Sequence, residues 1–116
     1  MKNTEQERGK PFTIVDIIEY VPKSVVIKTV IKRITGNVSV VSIDSGEVLT
    51  EKASPFDTFI HIIDGKAEVV INDVTTNLEV GQAIIIPGHA RNSIMANVRF
   101  KMVSTIIKSG YEDVVV

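Results

Sequence analysis

Few side chains in this sequence could carry chemistry. They are the carboxylates Glu51 and Asp57, the amine Lys52 between them, and the imidazoles His61 and His89. A desolvated lysine can attack a carbonyl carbon, and carboxylates together with a histidine can bind a metal ion or transfer protons. The sequence has no cysteine, so thiolate ligands, thiol nucleophiles and disulfide bonds are all excluded.

Each of these groups also has a simpler role. Lys52 can extend its ammonium group into water at the rim of a fold, and Glu51 and Asp57 can be solvated or paired with it. His89 can lie in a solvated loop. A rearranged metal site that uses His89, Asp57 and Glu51 stays open, although His61 and His89 lack the spacing of a helical or hairpin pair of ligands.

The position of His61 depends on strand geometry. Residues Asp57–Ile63 are predicted to form a strand, in which Thr58, Ile60 and Ile62 share the inward face. His61 falls on the opposite face, and we therefore expect it to pack in a sheet or against another subunit.

The elements that must position these residues are strands. Short runs rich in Val, Ile and Thr and bounded by Gly, Asn, Asp and Pro predict an all-β domain. The predicted strands are Thr13–Glu19, Ser24–Thr35, Val38–Ile43, Glu47–Lys52, Asp57–Ile63, Lys66–Ile71, Thr75–Glu79, Ala83–Ile86, Arg91–Met95 and Arg99–Ile107. Antiparallel strands of this length protect their edges by closing into a barrel or two packed sheets, so we predict a jelly roll.

Two hairpin turns and one domain boundary follow from the same reading. Asp64-Gly65 and Asn72-Asp73 are predicted two-residue turns, since glycine supplies the positive φ that a type I′ turn needs. Residues 1–11 lack an apolar pattern and are predicted to be a flexible tail, followed by a single domain over residues 12–116.

Four backbone-shaping residues stand at an informative spacing. Gly46 and Gly65 bracket positions 52, 54 and 58, and Gly81 and Pro87 precede positions 89, 92 and 96. In this spacing the chain resembles the two motifs of the cupin superfamily, and the stretch from Gly81 to Pro87 is the most specific part. The resemblance implies a double-stranded β-helix, the jelly-roll barrel of small RmlC-like cupins.

The resemblance also implies where a metal would lie. In metal-binding cupins two His, a Glu and a final His converge inside the barrel, and the matching positions here hold Lys52, Ser54, Thr58 and Asn92. Lys is a cation at neutral pH, Ser and Thr hydroxyls are poor neutral ligands, and Asn offers one carbonyl oxygen. We therefore expect neither a metal nor another cofactor.

The same positions predict a pocket for a small polar or anionic molecule. We expect the lining residues to be Lys52, Ser54, Thr58, Ile60, Asn92, Ile94 and Arg91, with His89, Glu51 and Asp57 at the rim. Lys52 and Arg91 would favour an anionic group. No residue is assigned a catalytic role; the alternative hypothesis is a cupin enzyme, an isomerase or a metal-dependent oxygenase, with a displaced ligand set.

Composition limits the partners. A length of 116 residues corresponds to one domain, and a net charge of −1 argues against a nucleic-acid surface. No apolar run approaches the length of a membrane helix, and the polar start lacks the apolar stretch of a signal peptide. We expect a cytoplasmic protein with neither a nucleic-acid nor a membrane partner.

A homodimer is predicted from the first long strand. Val25, Ile27 and Ile31 are expected to share one of its faces and Val26 and Val30 the other. That arrangement leaves more apolar surface than one barrel can cover, so a second copy is the expected partner.

Overall fold

The computed structural model describes residues 5–51 and 53–111. This part of the chain is built from antiparallel strands, and its only helical turn is a 3-10 turn at Ile14–Asp16. The strands are β1 (Val25–Arg33), β2 (Gly36–Ile43), β3 (Val48–Glu51), β4 (Asp57–Ile71), β5 (Val74–Glu79), β6 (Ala83–Ile86), β7 (Asn92–Met95) and β8 (Phe100–Ile107). The predicted all-β antiparallel fold class is confirmed.

The strands curl around one core. The order in the sheet is β1-β2-β8-β4-β7-β3, and β5 and β6 also pair with β4. The first half of β4 pairs with β6 and β8, and its second half pairs with β5 and β7. Because one strand serves both halves of the sheet, their inward faces oppose each other across the core. Its fully buried members include Ile43, Ile60, Ile62, Val69, Phe100 and Met102.

Only one of the two predicted hairpin turns forms. Asn72-Asp73 joins β4 to β5 with φ values of 48° and 69°, as predicted for a type I′ turn. The prediction of a turn at Asp64-Gly65 is wrong, because β4 continues through these two residues without reversing direction. Gly65 uses its positive φ beside a bulge that starts after Ile62, where a Cβ atom would overlap the carbonyl oxygen of Arg99.

A second bulge corrects the prediction for the faces of β1. Ile27 pairs with Val41, whereas Ile31 pairs with Val38 after a register shift that starts at Thr29. Val41 and Val38 are three residues apart and so lie on opposite faces of β2. The expectation that Ile31 shares a face with Ile27 is therefore wrong, because the bulge inserts one extra residue.

The strand predicted at Thr13–Glu19 is also wrong. Residues 12–20, here called the N-terminal strap, cross the outer face of the sheet and pair with no strand. Lys28 Nζ donates to the Ile17 carbonyl at 3.2 Å, Lys101 Nζ to the Val15 carbonyl at 2.7 Å and Ser42 Oγ to the Glu19 carbonyl at 2.8 Å. These bonds hold the strap over β1, β2 and β8.

The segment that precedes the strap also contacts the sheet. The backbone N–H of Gln6 donates to the carbonyl of Val30 at 2.9 Å, and Glu5 forms ion pairs with Arg8 and Arg33. The division into a tail and a domain at residues 11 and 12 stays a prediction. Over the described ranges, no helix has the length and apolar character needed to span a membrane.

Candidate functional site

The curled sheet forms a partly open cavity of about 190 Å³. Its wall includes the predicted residues Ser54, Thr58, Ile60, Asn92 and Ile94. The other lining residues are Ile27, Asn37, Ser39, Val41, Leu49, Phe56, Ile86, Pro87, Ala90, Met102, Ser104 and Ile106. The structure therefore brings these five residues together around one cavity, and their role in ligand binding stays a prediction.

One of the two predicted cationic residues, Arg91, lies outside this wall. The Arg91 guanidinium lies 3.1 Å from Asp73, on a side chain that is 76% exposed, and it is outside the cavity. Lys52 lies outside the described residues. A role for either residue in binding stays a prediction.

The predicted rim residues shape the loops beside the cavity. Asp57 Oδ1 accepts a hydrogen bond from the backbone N–H of Gly88 at 2.8 Å. His89 is exposed with φ of 69°, and its backbone N–H donates to the Ser54 carbonyl. The loop before β4 and the loop after β6 are therefore joined at the edge of the cavity. Glu51 pairs through its backbone with Asn92, and its side chain lies outside the described part.

Polar residues from strands outside the motifs were missed by the sequence reading. Asn37 and Ser39 come from β2 and Ser104 from β8, and Ser39 pairs directly with Ser104. Both faces of β2 mix polar and apolar residues, so alternation alone did not reveal which face is inward. Ser104 lies opposite Ile60, and this pairing between distant strands has no local signal in the sequence.

The polar wall groups differ in how far their hydrogen-bonding capacity is used. Ser54 Oγ accepts from the N–H of Phe56 at 3.1 Å, and Asn92 Nδ2 donates to the Ala90 carbonyl at 3.4 Å. Within the described part of the chain, the side chains of Asn37, Ser39, Thr58 and Ser104 form no hydrogen bond, and none of their polar atoms is sealed away without a partner. These four groups face the cavity with free capacity.

The donor set does not fit a metal ion. Of the four positions that the resemblance assigns to metal ligands, the described ones hold two neutral hydroxyls and one amide, Ser54, Thr58 and Asn92. No three His, Cys, Asp or Glu side chains cluster as a metal site in the described ranges. His61 lies on the face opposite Ile60, with its ring 6.3 Å from the ring of Phe59. The absence of a metal in the protein itself stays a prediction.

Neither tyrosine of the chain has its hydroxyl group in the cavity, so neither could act there as a proton donor. Tyr20 donates a hydrogen bond to Asp64, and the Arg99 guanidinium lies 4.3 Å from the centre of its ring. Burial, followed by the bond to the Asp64 carboxylate, raises the pKa of Tyr20 above its usual value. Tyr111 donates to the Ile107 carbonyl and accepts from the N–H of Asp57 at 2.7 Å.

No protein-family model matches this chain, and no curated protein matches it either. Solved structures do resemble it. A conserved protein of unknown function from Streptococcus pyogenes has a TM-score of 0.85 at 24% identity, over 92% of this chain and 93% of that one. A cupin superfamily protein from Desulfitobacterium hafniense has a TM-score of 0.83 at 21% identity, over 92% and 97% of the two chains.

A third likeness involves a longer protein. A cupin 2 conserved barrel domain protein from Leptotrichia buccalis has a TM-score of 0.86 at 20% identity, over 90% of this chain and 50% of that one. These likenesses confirm the predicted cupin jelly-roll fold. At such identities they establish the fold alone.

Proposed function

We propose that this chain, which has the cupin fold, binds a small polar molecule in its barrel cavity without a metal ion and without a catalytic role of its own. The observation that carries the proposal is the partly open cavity of about 190 Å³, in which unbonded hydroxyl and amide groups face apolar side chains. Ligand sites usually combine such an apolar wall with a few polar groups that orient the ligand.

The alternative is a cupin isomerase or metal-dependent oxygenase with a displaced ligand set. The groups for such a set would be His89, Asp57 and Glu51. Asp57 already accepts the Gly88 N–H, and neither Asp57 nor the exposed His89 belongs to the cavity wall. This alternative is therefore the weaker of the two proposals.

The cellular location and the partners of the protein are proposed from its composition and net charge. We place it in the cytoplasm, because a chain without cysteine suits a reducing compartment. Its partners would be the ligand and a second copy of the chain, with no nucleic acid and no membrane. The net charge of −1 gives no electrostatic attraction to phosphate backbones.

Filling the cavity tests the proposal. Ligand-observed NMR with a mixture of small neutral and charged fragments should detect binding to the wild type and lose it for Ser104→Phe, because the added ring occupies the cavity. Thr105→Phe is the matched control, since Thr105 follows Ser104 on the opposite face of β8 and is not part of the cavity wall. The control variant should bind as the wild type does. Equal binding to wild type and Ser104→Phe would contradict a site in the barrel.

Metal content distinguishes the two functions. Protein purified without a histidine tag should contain no stoichiometric zinc, iron, manganese or nickel by elemental analysis. One tightly held ion per chain would instead favour the enzyme with a displaced ligand set.

A further inference from the structure

The free polar groups of the cavity occupy one region of its wall. Ser39 pairs with Ser104, which in turn pairs with Ile60, so these residues form one row across β2, β8 and β4. Thr58 lies two residues from Ile60 on the same face of β4. We call Ser39, Ser104 and Thr58 the hydroxyl layer.

An amide extends this layer. Asn37 pairs with Ile106, and Ile106 pairs with Thr58. Asn37 and Thr58 therefore belong to one cross-strand row, which lies next to the row that contains Ser39 and Ser104. Cross-strand partners lie about 5 Å apart at Cβ, and diagonal neighbours about 7 Å. One ligand group can therefore reach several of these donors and acceptors at once.

The rest of the cavity is apolar. The next row toward the core is formed by Val41 and Met102, and Leu49 and Ile94 face it from the other half of the sheet. A ligand that fills this space must carry an apolar body as well as a polar end. An apolar cavity of about 150 Å³ is large enough for a benzene ring, so about 190 Å³ holds a ring and a small substituent.

The charge of the ligand follows from the same wall. In the part of the chain that the structure describes, which leaves out Lys52 and the side chain of Glu51, every polar side chain on the cavity is neutral, namely Asn37, Ser39, Ser54, Thr58, Asn92 and Ser104. Burying an ion without an opposite charge costs far more than burying a hydroxyl or amide that finds hydrogen bonds. Hydroxyl groups can both donate and accept, which suits an uncharged alcohol, amide or carbonyl.

We propose that the ligand is an uncharged molecule of about ring size, with an apolar body against Val41, Met102 and Ile94 and an alcohol, amide or carbonyl group on the hydroxyl layer. This proposal rests on the proposed function, which places a polar ligand in the same cavity. It narrows that function to an uncharged ligand, and an anion held by Lys52 or Arg91 is the competing outcome of the test.

Four probes of the same shape test the charge preference. Benzamide and benzyl alcohol are neutral, whereas benzoate and benzylammonium carry opposite charges at pH 7. NMR titration of the wild type should give dissociation constants at least tenfold lower for a neutral probe than for both ions. Binding of the neutral probes should disappear in Ser104→Phe and persist in Thr105→Phe.

Substitutions in the hydroxyl layer test the proposed hydrogen bonds between this layer and the polar group of the ligand. Ser39→Ala, Thr58→Val and Ser104→Ala should each weaken the binding of the better neutral probe by about threefold to tenfold, as expected for one lost hydrogen bond. Thr105→Val, on the outer face of β8, is the control and should leave the dissociation constant unchanged. Melting temperatures of all variants verify that they are folded.

The outcomes separate this proposal from the proposed function. If benzoate or benzylammonium binds as tightly as the neutral probes and is lost in Ser104→Phe, the cavity binds ligands but the inference of an uncharged one is overturned. If the layer variants bind like the wild type, the role of the hydroxyl layer is overturned. If none of the four probes binds the wild type although a fragment of the mixture does, this proposal is overturned and the proposed function stands. If no fragment binds either, both are contradicted.

Discussion

At the scale of single residues, the likeness to the cupin fold depends on residues that adopt restricted backbone conformations. Gly46, Gly65 and Gly81 have φ values of 86°, 73° and 88°, in the left-handed region that other residues adopt at a cost. His89, in the loop after β6, has φ of 69°, which is uncommon for a residue other than glycine. These conformations are properties of the backbone, so they do not depend on which side chains occupy positions 54 and 58.

These glycines differ in what surrounds them, which gives a matched pair of substitutions. Gly65→Ala should lower the free energy of unfolding by more than about 2 kcal/mol, because its Cβ would overlap the Arg99 carbonyl as well as strain φ. Gly81→Ala meets no atom within 4 Å and should cost about 1 kcal/mol from φ alone. Urea denaturation measures both, and equal costs would contradict the role of the close approach at Gly65.

The hydrogen bond between Tyr20 and Asp64 predicts a pH dependence of stability. The pKa of Tyr20 is raised in the folded state, so its contribution is fully present below the unfolded value of about 10 and is lost as the pH rises above it. Tyr20→Phe should cost about 1–2 kcal/mol at pH 7. In urea denaturation, the stability difference between wild type and Tyr20→Phe should shrink between about pH 9 and pH 11. A difference that stays constant over this interval would contradict the prediction.

At the scale of elements, the sequence predicted the bounds of the strands after β4 best. The bounds of β6 agree with the prediction, and those of β5 and β7 differ from it by one residue at the start. Two wrong predictions, a strand at Thr13–Glu19 and a turn at Asp64-Gly65, have one cause. Both were made from local sequence patterns, whereas tertiary contacts determine the structure of these segments. The strap is held by side chains of distant strands, and the glycine of β4 is needed because the backbone near Arg99 packs against it.

The strap should contribute to stability through one buried side chain. Ile18 is 4% exposed, so Ile18→Ala should cost about 2–4 kcal/mol by removing buried apolar groups. Val21→Ala is the control, because Val21 is 44% exposed and its truncation should change the unfolding free energy by less than about 0.5 kcal/mol. Thermal or urea unfolding measures both variants. A cost for Ile18→Ala as small as that of the control would show that the strap does not pack on the sheet in solution.

At the scale of the whole molecule, the residues that line the cavity were predictable in the region that the motifs cover, and their role in binding stays a prediction. Ser54, Thr58 and Asn92 were located by spacing from glycines and a proline, and Ile60 and Ile94 by alternation from them. Asn37, Ser39 and Ser104 reach the cavity because β2 and β8 pair with β4, and this pairing is a property of the topology. No local pattern in the sequence contains it.

Assembly is the remaining property at this scale. Ile27 is 57% exposed on β1, a terminal strand in the order of the sheet, and it also belongs to the cavity wall. We predict that a second copy covers β1 and closes this side of the cavity, because an exposed apolar edge strand otherwise invites pairing with other chains. Light scattering should report a dimer at micromolar concentration.

A charge at the proposed contact tests this assembly. Ile27→Asp should shift the protein toward the monomer and leave it folded, since more than half of the side chain is already exposed within one copy. Val74→Asp is the control, because Val74 is 65% exposed on β5, which pairs with β4 away from β1. It should stay dimeric. A wild-type protein that is monomeric at all micromolar concentrations would refute the dimer, and the barrel would then bind its ligand through an open mouth beside Ile27.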